Sequence, residues 1–176
     1  KEIKKYLKKK FWNNYFKFCV IRNPFDKLIS AFHYYEDQLF QKRSFLKKYF
    51  KKFSWYLQTN PGDTIKRFRN WIKRGYLFYK IFSKNLITFD RHVYFIDNKS
   101  CMDYFIKFEN LKEDIKVVCK KLNIKFDSDR LLKLKSNSSR HKNLNLDTTD
   151  YYNIETKNIV NEIYKWEIET FNYKIY

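Results

Sequence analysis

Glycine, proline and alanine are nearly missing: 176 residues contain two Gly, two Pro and only one Ala, Ala31. That excludes collagen-like, Gly/Ser-linker and Pro-rich segments, and it makes each surviving breaker a marked position. The three cysteines, Cys19, Cys101 and Cys119, lie far apart with no CxxC or Cys/His spacing, so no metal site is expected. Cys19 in an apolar run and Cys119 on a helical pattern read as small core residues. No run approaches the ~18 uncharged apolar residues of a membrane span, and no signal-peptide pattern opens the sequence.

Acidic residues are scarce too. Against 19 Asp and Glu stand 38 Lys and Arg, a formal charge of +19. Such a surface draws polyanions: nucleic acid, anionic glycan or nucleotide. Lys, Asn, Ile, Phe and Tyr are also what AT-rich codons supply, so part of the excess reflects composition and weakens charge as evidence for nucleic-acid binding. What the chain does have is apolar material, 44% hydrophobic with 21% aromatic, enough for one domain over residues 1–176 with a real core. Its opening, "KEIKKYLKKKFWNNYF", repeats Ile3, Leu7 and Phe11 every four residues. It reads as a helix already in progress, which implies a natural polypeptide that extends upstream.

Turn signals divide the rest. Residues 15–21 read as a buried strand; Asn23 then caps a helix with Pro24 at its first position, and Phe25, Leu28, Phe32, Tyr35 and Leu39 form its apolar stripe. Residues 40–60 are aromatic and basic, helical at best, and end at "TNPGDT". Asp63 caps a further helix with Ile65, Phe68 and Ile72 on one face, and Gly75 marks its stop. Residues 86–96 include a short strand. "DYFIKFENLKEDIKVVCKKLNI", residues 103–124, repeats strand, turn and helix, with Asn110 and Glu113 as a capping-box variant and Leu111, Ile115, Val118 and Leu122 as the stripe. A basic loop, "KSNSSRHKN", follows at 135–143. One last helix runs from about Ile154 to Phe171 with Ile159, Ile163 and Trp166 inward.

Strand then helix, twice, predicts an α/β fold around a mainly parallel sheet flanked by helices, where ligands collect at the carboxyl ends of strands. "FCVIRNPFDKLIS" places Arg22 at such an end and at the start of a helix, whose free amides and dipole favour an anion. Ser30, off the apolar stripe, could add a hydroxyl. The pair reads as a phosphate site, against the plainer reading of a solvated arginine and an idle serine.

"VIRNPFDKLISAF" resembles the 3'-phosphate-binding element of sulfotransferases that use 3'-phosphoadenosine 5'-phosphosulfate (PAPS), and especially the carbohydrate-type sulfotransferase family 2. "DYFIKFENLKEDI", "NSSRHKN" and "YYNIETKNIVNEIYKWEIETFNY" resemble later segments of that family in the same order, so the likeness runs from about Tyr15 to Tyr173. Lys27, Glu167 and Asn172 are mild departures, where relatives more often carry arginine, aspartate and glycine.

The resemblance implies a P-loop-like sulfotransferase domain that moves a sulfuryl group from PAPS to a hydroxyl of a carbohydrate or glycan, an anionic one suiting a lysine-rich groove. It makes Arg22 and Ser30 the 3'-phosphate contacts, with Arg140 and Lys142 completing the nucleotide site. The family's strand and Pro-Lys-x-Gly-Thr loop for the 5'-phosphosulfate have no counterpart here. "NPGDT", with Gly62 and Thr64, is a helix cap, so that first strand and loop are expected upstream of Lys1. A Golgi-type membrane-associated location follows if the source is eukaryotic, and a cytoplasmic one otherwise.

Candidate bases are His92, in "TFDRHVYF", and Glu109, in "FEN" after a strand; His33 and His141 are the other histidines, and His33 reads as a surface residue. Two rival classes stay open. One is a basic nucleic-acid-binding module stacking bases on its aromatics, and the other is a catalytically inactive sulfotransferase-like protein.

Overall fold

The structure is a computed structural model that describes residues 9–46, 64–82, 94–97, 99–129 and 146–175. A short helix α1 (Lys9–Asn14) leads into strand β1 (Phe18–Ile21), the long helix α2 (Pro24–Leu46) and helix α3 (Thr64–Phe82). Strands β2 (Phe95–Ile96), β3 (Lys99–Ser100) and β4 (Tyr104–Lys107) follow, then a 3-10 turn (Phe108–Asn110) and helix α4 (Leu111–Lys121). Helices α5 (Thr148–Tyr151), α6 (Ile154–Ile163) and α7 (Lys165–Phe171) come last. Contacts gather the chain into two compact units, Lys1–Arg22 with Phe89–Asn137, and Asn23–Thr88 with Ser138–Tyr176.

In the first unit β1 pairs with β4 in parallel, Phe18 opposite Tyr104 and Ile21 opposite Lys107. Both strands therefore end on the same side, as a small parallel sheet requires. The register is set at its start by a clip. Asp103 accepts the Lys17 backbone N–H at 2.7 Å and its ammonium at 2.9 Å, while the Asp103 N–H donates to the Lys17 carbonyl. A second, antiparallel pair joins β2 to β3. The core here is Ile21, Tyr94, Ile106 and Val118.

The strand expected over residues 15–21 is shorter and more open than its apolar composition predicted. Helix α4 packs on β4, so Ile106 is covered while Val20, its register partner on β1, stays 51% exposed and Phe18 44%. Cys19, Cys101 and Cys119 are half-buried and in no disulfide, rather than fully packed core residues.

The capping box expected at Asn110 does not form. The preceding 3-10 turn puts Asn110 at φ −118°, ψ 27°, away from the extended geometry that a capping side chain needs, and it makes no cap hydrogen bond. Asp114 reaches back instead and accepts the Lys107 N–H at 2.7 Å. Of the stripe predicted for α4, Val118 is buried and Leu122 is exposed at the helix end. There Asn123, at φ 54°, closes a Schellman turn in which the Ile124 N–H donates to the Cys119 carbonyl.

The second unit opens as predicted. The Asn23 side-chain oxygen accepts the Phe25 N–H at 3.1 Å, with Pro24 at the first helical position. Phe25, Leu28 and Phe32 are buried, joined by Ile29, whereas Tyr35 is exposed. The side chain of Leu39 and all of Asp63 lie outside the described residues. On α3, Phe68 and Ile72 are fully buried as the spacing predicted.

Gly75 does not end α3, which continues to Phe82. Gly75 is buried in line with Phe68 and Ile72, on a helix that packs against α6. A residue without a side chain there admits a neighbouring helix rather than stopping its own. The single closing helix predicted from Ile154 is two helices, broken at Tyr164 (φ −104°, ψ 22°). Ile159 and Ile163 face inward with Val160, Tyr164 and Glu167, and Trp166 is only half-buried. Phe68 joins edge-on ring contacts with Phe32, Tyr151 and Tyr152, which fill this core. Among the described residues no helix is long and apolar enough to cross a membrane.

Candidate functional site

Arg22 follows the last residue of β1 directly, at the carboxyl end of the parallel pair. The same end of β4 runs into Phe108 and Glu109. The Arg22 guanidinium lies over the Phe108 ring, 4.8 Å from its centroid, and among the described residues it forms no ion pair. A ring face orients a guanidinium without neutralising it, so the charge stays available to an anion. Glu109 is exposed one residue further on, in the 3-10 turn. Arg22 and Glu109 thus share one sheet end in the first unit. In open α/β sheets such an end is where ligands generally bind.

Ser30 sits on α2 in the second unit, half-buried, two turns beyond Asn23. The start of that helix differs from the simple picture of free amides. Pro24 has no N–H, the Phe25 N–H is taken by Asn23, and Asp26 places a carboxylate in the first turn, where it accepts the Thr148 hydroxyl at 2.8 Å. The first turn of this helix therefore offers an anion fewer backbone amides than the sequence suggested. Asn23 itself is 3% exposed, and its Nδ2 donates to the Lys174 carbonyl at 2.7 Å.

His33 is half-buried rather than a freely solvated surface residue. Its Nε2 lies 3.0 Å from the Tyr151 hydroxyl, and its ring stacks edge-on against Tyr151 and Phe32. These contacts give it a packing role.

One feature escaped sequence reading. Tyr34 and Tyr35 are 61% and 41% exposed and stack edge-on 5.9 Å apart, and Tyr35 lies 6.3 Å from Trp71 of α3. Trp71 is braced from the core by Phe32 and Phe68. The result is an aromatic shelf fixed from behind. Periodicity put Tyr35 in the core; the signal that could have found the shelf was the pair itself, since two adjacent helix residues cannot both face inward.

His92, Arg140, Lys142 and His141 lie outside the described residues, as does most of "NPGDT". Among the described residues no group of three or more His, Cys, Asp or Glu is placed to hold a metal ion.

A search of curated proteins and a search of solved structures each found no match. A model of the sulfotransferase family matches residues 1–174, which takes in both units and nearly the whole sequence. The mixture of helices with a small parallel sheet is compatible with that family's fold. The chain therefore belongs to the sulfotransferase family, and its chemistry is transfer of a sulfuryl group.

Proposed function

We propose that the donor is PAPS and the acceptor a hydroxyl of a carbohydrate, on an anionic glycan. The observation that carries the donor half is Arg22: a guanidinium at the end of a parallel strand, held over Phe108 and forming no ion pair among the described residues. Arg22 and Ser30 contact the 3'-phosphate and fix the nucleotide, with Arg140 and Lys142 completing its site. When bound, PAPS supplies the activated sulfuryl group, as sulfotransferases generally use it. Glu109, or His92, takes the proton from the acceptor hydroxyl.

The shelf of Tyr34, Tyr35 and Trp71 supports a carbohydrate acceptor. Ring faces present flat apolar area with a polar hydroxyl or N–H at the edge, which matches the C–H face and hydroxyl rim of a sugar. Beside it, α3 carries six Lys or Arg and no Asp or Glu; even with Lys73 and Lys80 paired to Glu155 and Glu162, the helix keeps a positive excess suited to acidic groups on the glycan.

The test is calorimetric titration with 3'-phosphoadenosine 5'-phosphate and with adenosine 5'-phosphate, alongside transfer of labelled sulfate from PAPS to an acidic oligosaccharide. Arg22→Ala should weaken the bisphosphate by roughly 2 to 4 kcal/mol, and Ser30→Ala by about 1 kcal/mol. Tyr34→Ala should raise KM for the oligosaccharide. Equal affinity for the two nucleotides would remove the 3'-phosphate reading, and transfer indifferent to Tyr34 would remove the shelf from acceptor binding.

A further inference from the structure

We infer that Asn23 is a positioning residue for the donor site and that the carboxyl-terminal tail, through it, sets how well the 3'-phosphate is read. This rests on the reading of Arg22 and Ser30 given above.

Asn23 is almost fully buried, and both ends of its amide are engaged. The Oδ1 accepts the Phe25 N–H at 3.1 Å and so closes the first turn of α2. The Nδ2 donates at 2.7 Å to the carbonyl of Lys174, which lies 151 residues away in sequence. The tail is shaped to meet it. Asn172, at φ 53°, ends α7 in the left-handed region, the Tyr173 N–H donates back to the Ile168 carbonyl, and the Tyr173 ring is buried. The chain end therefore reaches the helix start by a defined turn rather than by chance.

A cap alone would need only the oxygen of Asn23, and Ser or Asp would serve that purpose equally well. The second hydrogen bond needs an amide. Its donor can be aimed only if the side chain holds one orientation, and that orientation fixes the backbone of Asn23 at the start of α2. The same turn sets the start of α2, which carries Ser30 two turns on. Loosening the tail should thus disturb the Ser30 contact to the 3'-phosphate while leaving the rest of nucleotide binding intact.

Two alterations reach the contact from opposite sides. Asn23→Ser keeps a capping oxygen and loses the donor, and a chain ending at Tyr173 keeps Asn23 and loses the Lys174 carbonyl. Each should lower the ratio of affinities for 3'-phosphoadenosine 5'-phosphate over adenosine 5'-phosphate about fivefold, the worth of one hydrogen bond. The combined variant should lose no more than either alone, because both remove the same interaction. A structural role alone would lower the melting temperature or weaken both nucleotides equally, and would leave the ratio unchanged. A ratio preserved in both variants, or losses that add in the combined one, would overturn the clamp while leaving the donor reading in place. If the unaltered chain binds the two nucleotides equally, the donor reading falls first and the clamp with it.

Discussion

Phe108 gives Arg22 a ring face where an acidic neighbour would have given it a counter-charge, and the difference decides what the guanidinium can still do. An ion pair would have to be broken before an anion could bind, whereas a cation–π contact worth about 0.5–1 kcal/mol at a partly exposed site can persist beneath one. Glu109, the next residue after Phe108, is an exposed carboxylate at the same sheet end. If it takes the acceptor proton, Glu109→Gln should lower kcat by about 100-fold or more. Affinity for 3'-phosphoadenosine 5'-phosphate should stay within about twofold, since a proton acceptor does not hold the nucleotide. Single-turnover sulfate transfer and calorimetry on one preparation check both halves. An unchanged kcat would pass the role of base to His92.

At the scale of elements, Gly75 is the informative position. Lys73 pairs with Glu155 just before it, and Tyr76 and Lys80 both reach Glu162 just after it, so α3 and α6 are stapled on either side of a buried glycine. Gly75→Leu should therefore overpack the contact and cost about 1 to 3 kcal/mol in urea unfolding. A stabilised Gly75→Leu protein would mean that no neighbour sits against that Cα.

The glycine also marks where local signals fail. Its meaning in the sequence is a helix stop, and only the neighbouring helix turns it into a contact. The start of α2 was legible because Asn23, Pro24 and the Phe25 amide are consecutive and the cap is local. The position of Arg22 just past a strand was legible because it ends an apolar run. Asn110 was misread because a 3-10 turn, invisible to periodicity, altered its backbone, and the break at Tyr164 lay inside an unbroken apolar pattern. The tail contact to Asn23 joins residues 151 apart, beyond any local pattern.

At the scale of the whole molecule, each of the two units is assembled from two separate stretches of chain, and the family match spans both. Each unit holds a carboxylate that its partners keep ionised. In the first, the Lys17 backbone N–H, with the Lys17 ammonium behind it, lowers the pKa of Asp103. In the second, hydrogen bonds from Lys80 and then Tyr76 lower that of Glu162.

A carboxylate depressed by folding stabilises above its unfolded pKa of about 4, and that stabilisation is lost as pH falls through the folded value. Lys80, raised chiefly by its hydrogen bond to Glu162, works in the opposite window. Its contribution is complete below the ordinary lysine range and fades as pH climbs through the raised value. Solvent reaches all three groups, so each effect is small. Protonation also removes the few negative charges opposing a +19 chain, which adds self-repulsion to the lost contacts.

Thermal unfolding from pH 7 to pH 3 should therefore show the midpoint falling below about pH 4, more shallowly at high salt. A variant carrying Asp103→Asn and Glu162→Gln should start lower at pH 7 and draw closer to the unaltered protein as the pH falls. Parallel curves across the whole range would mean that these two carboxylates are not a source of the acid sensitivity.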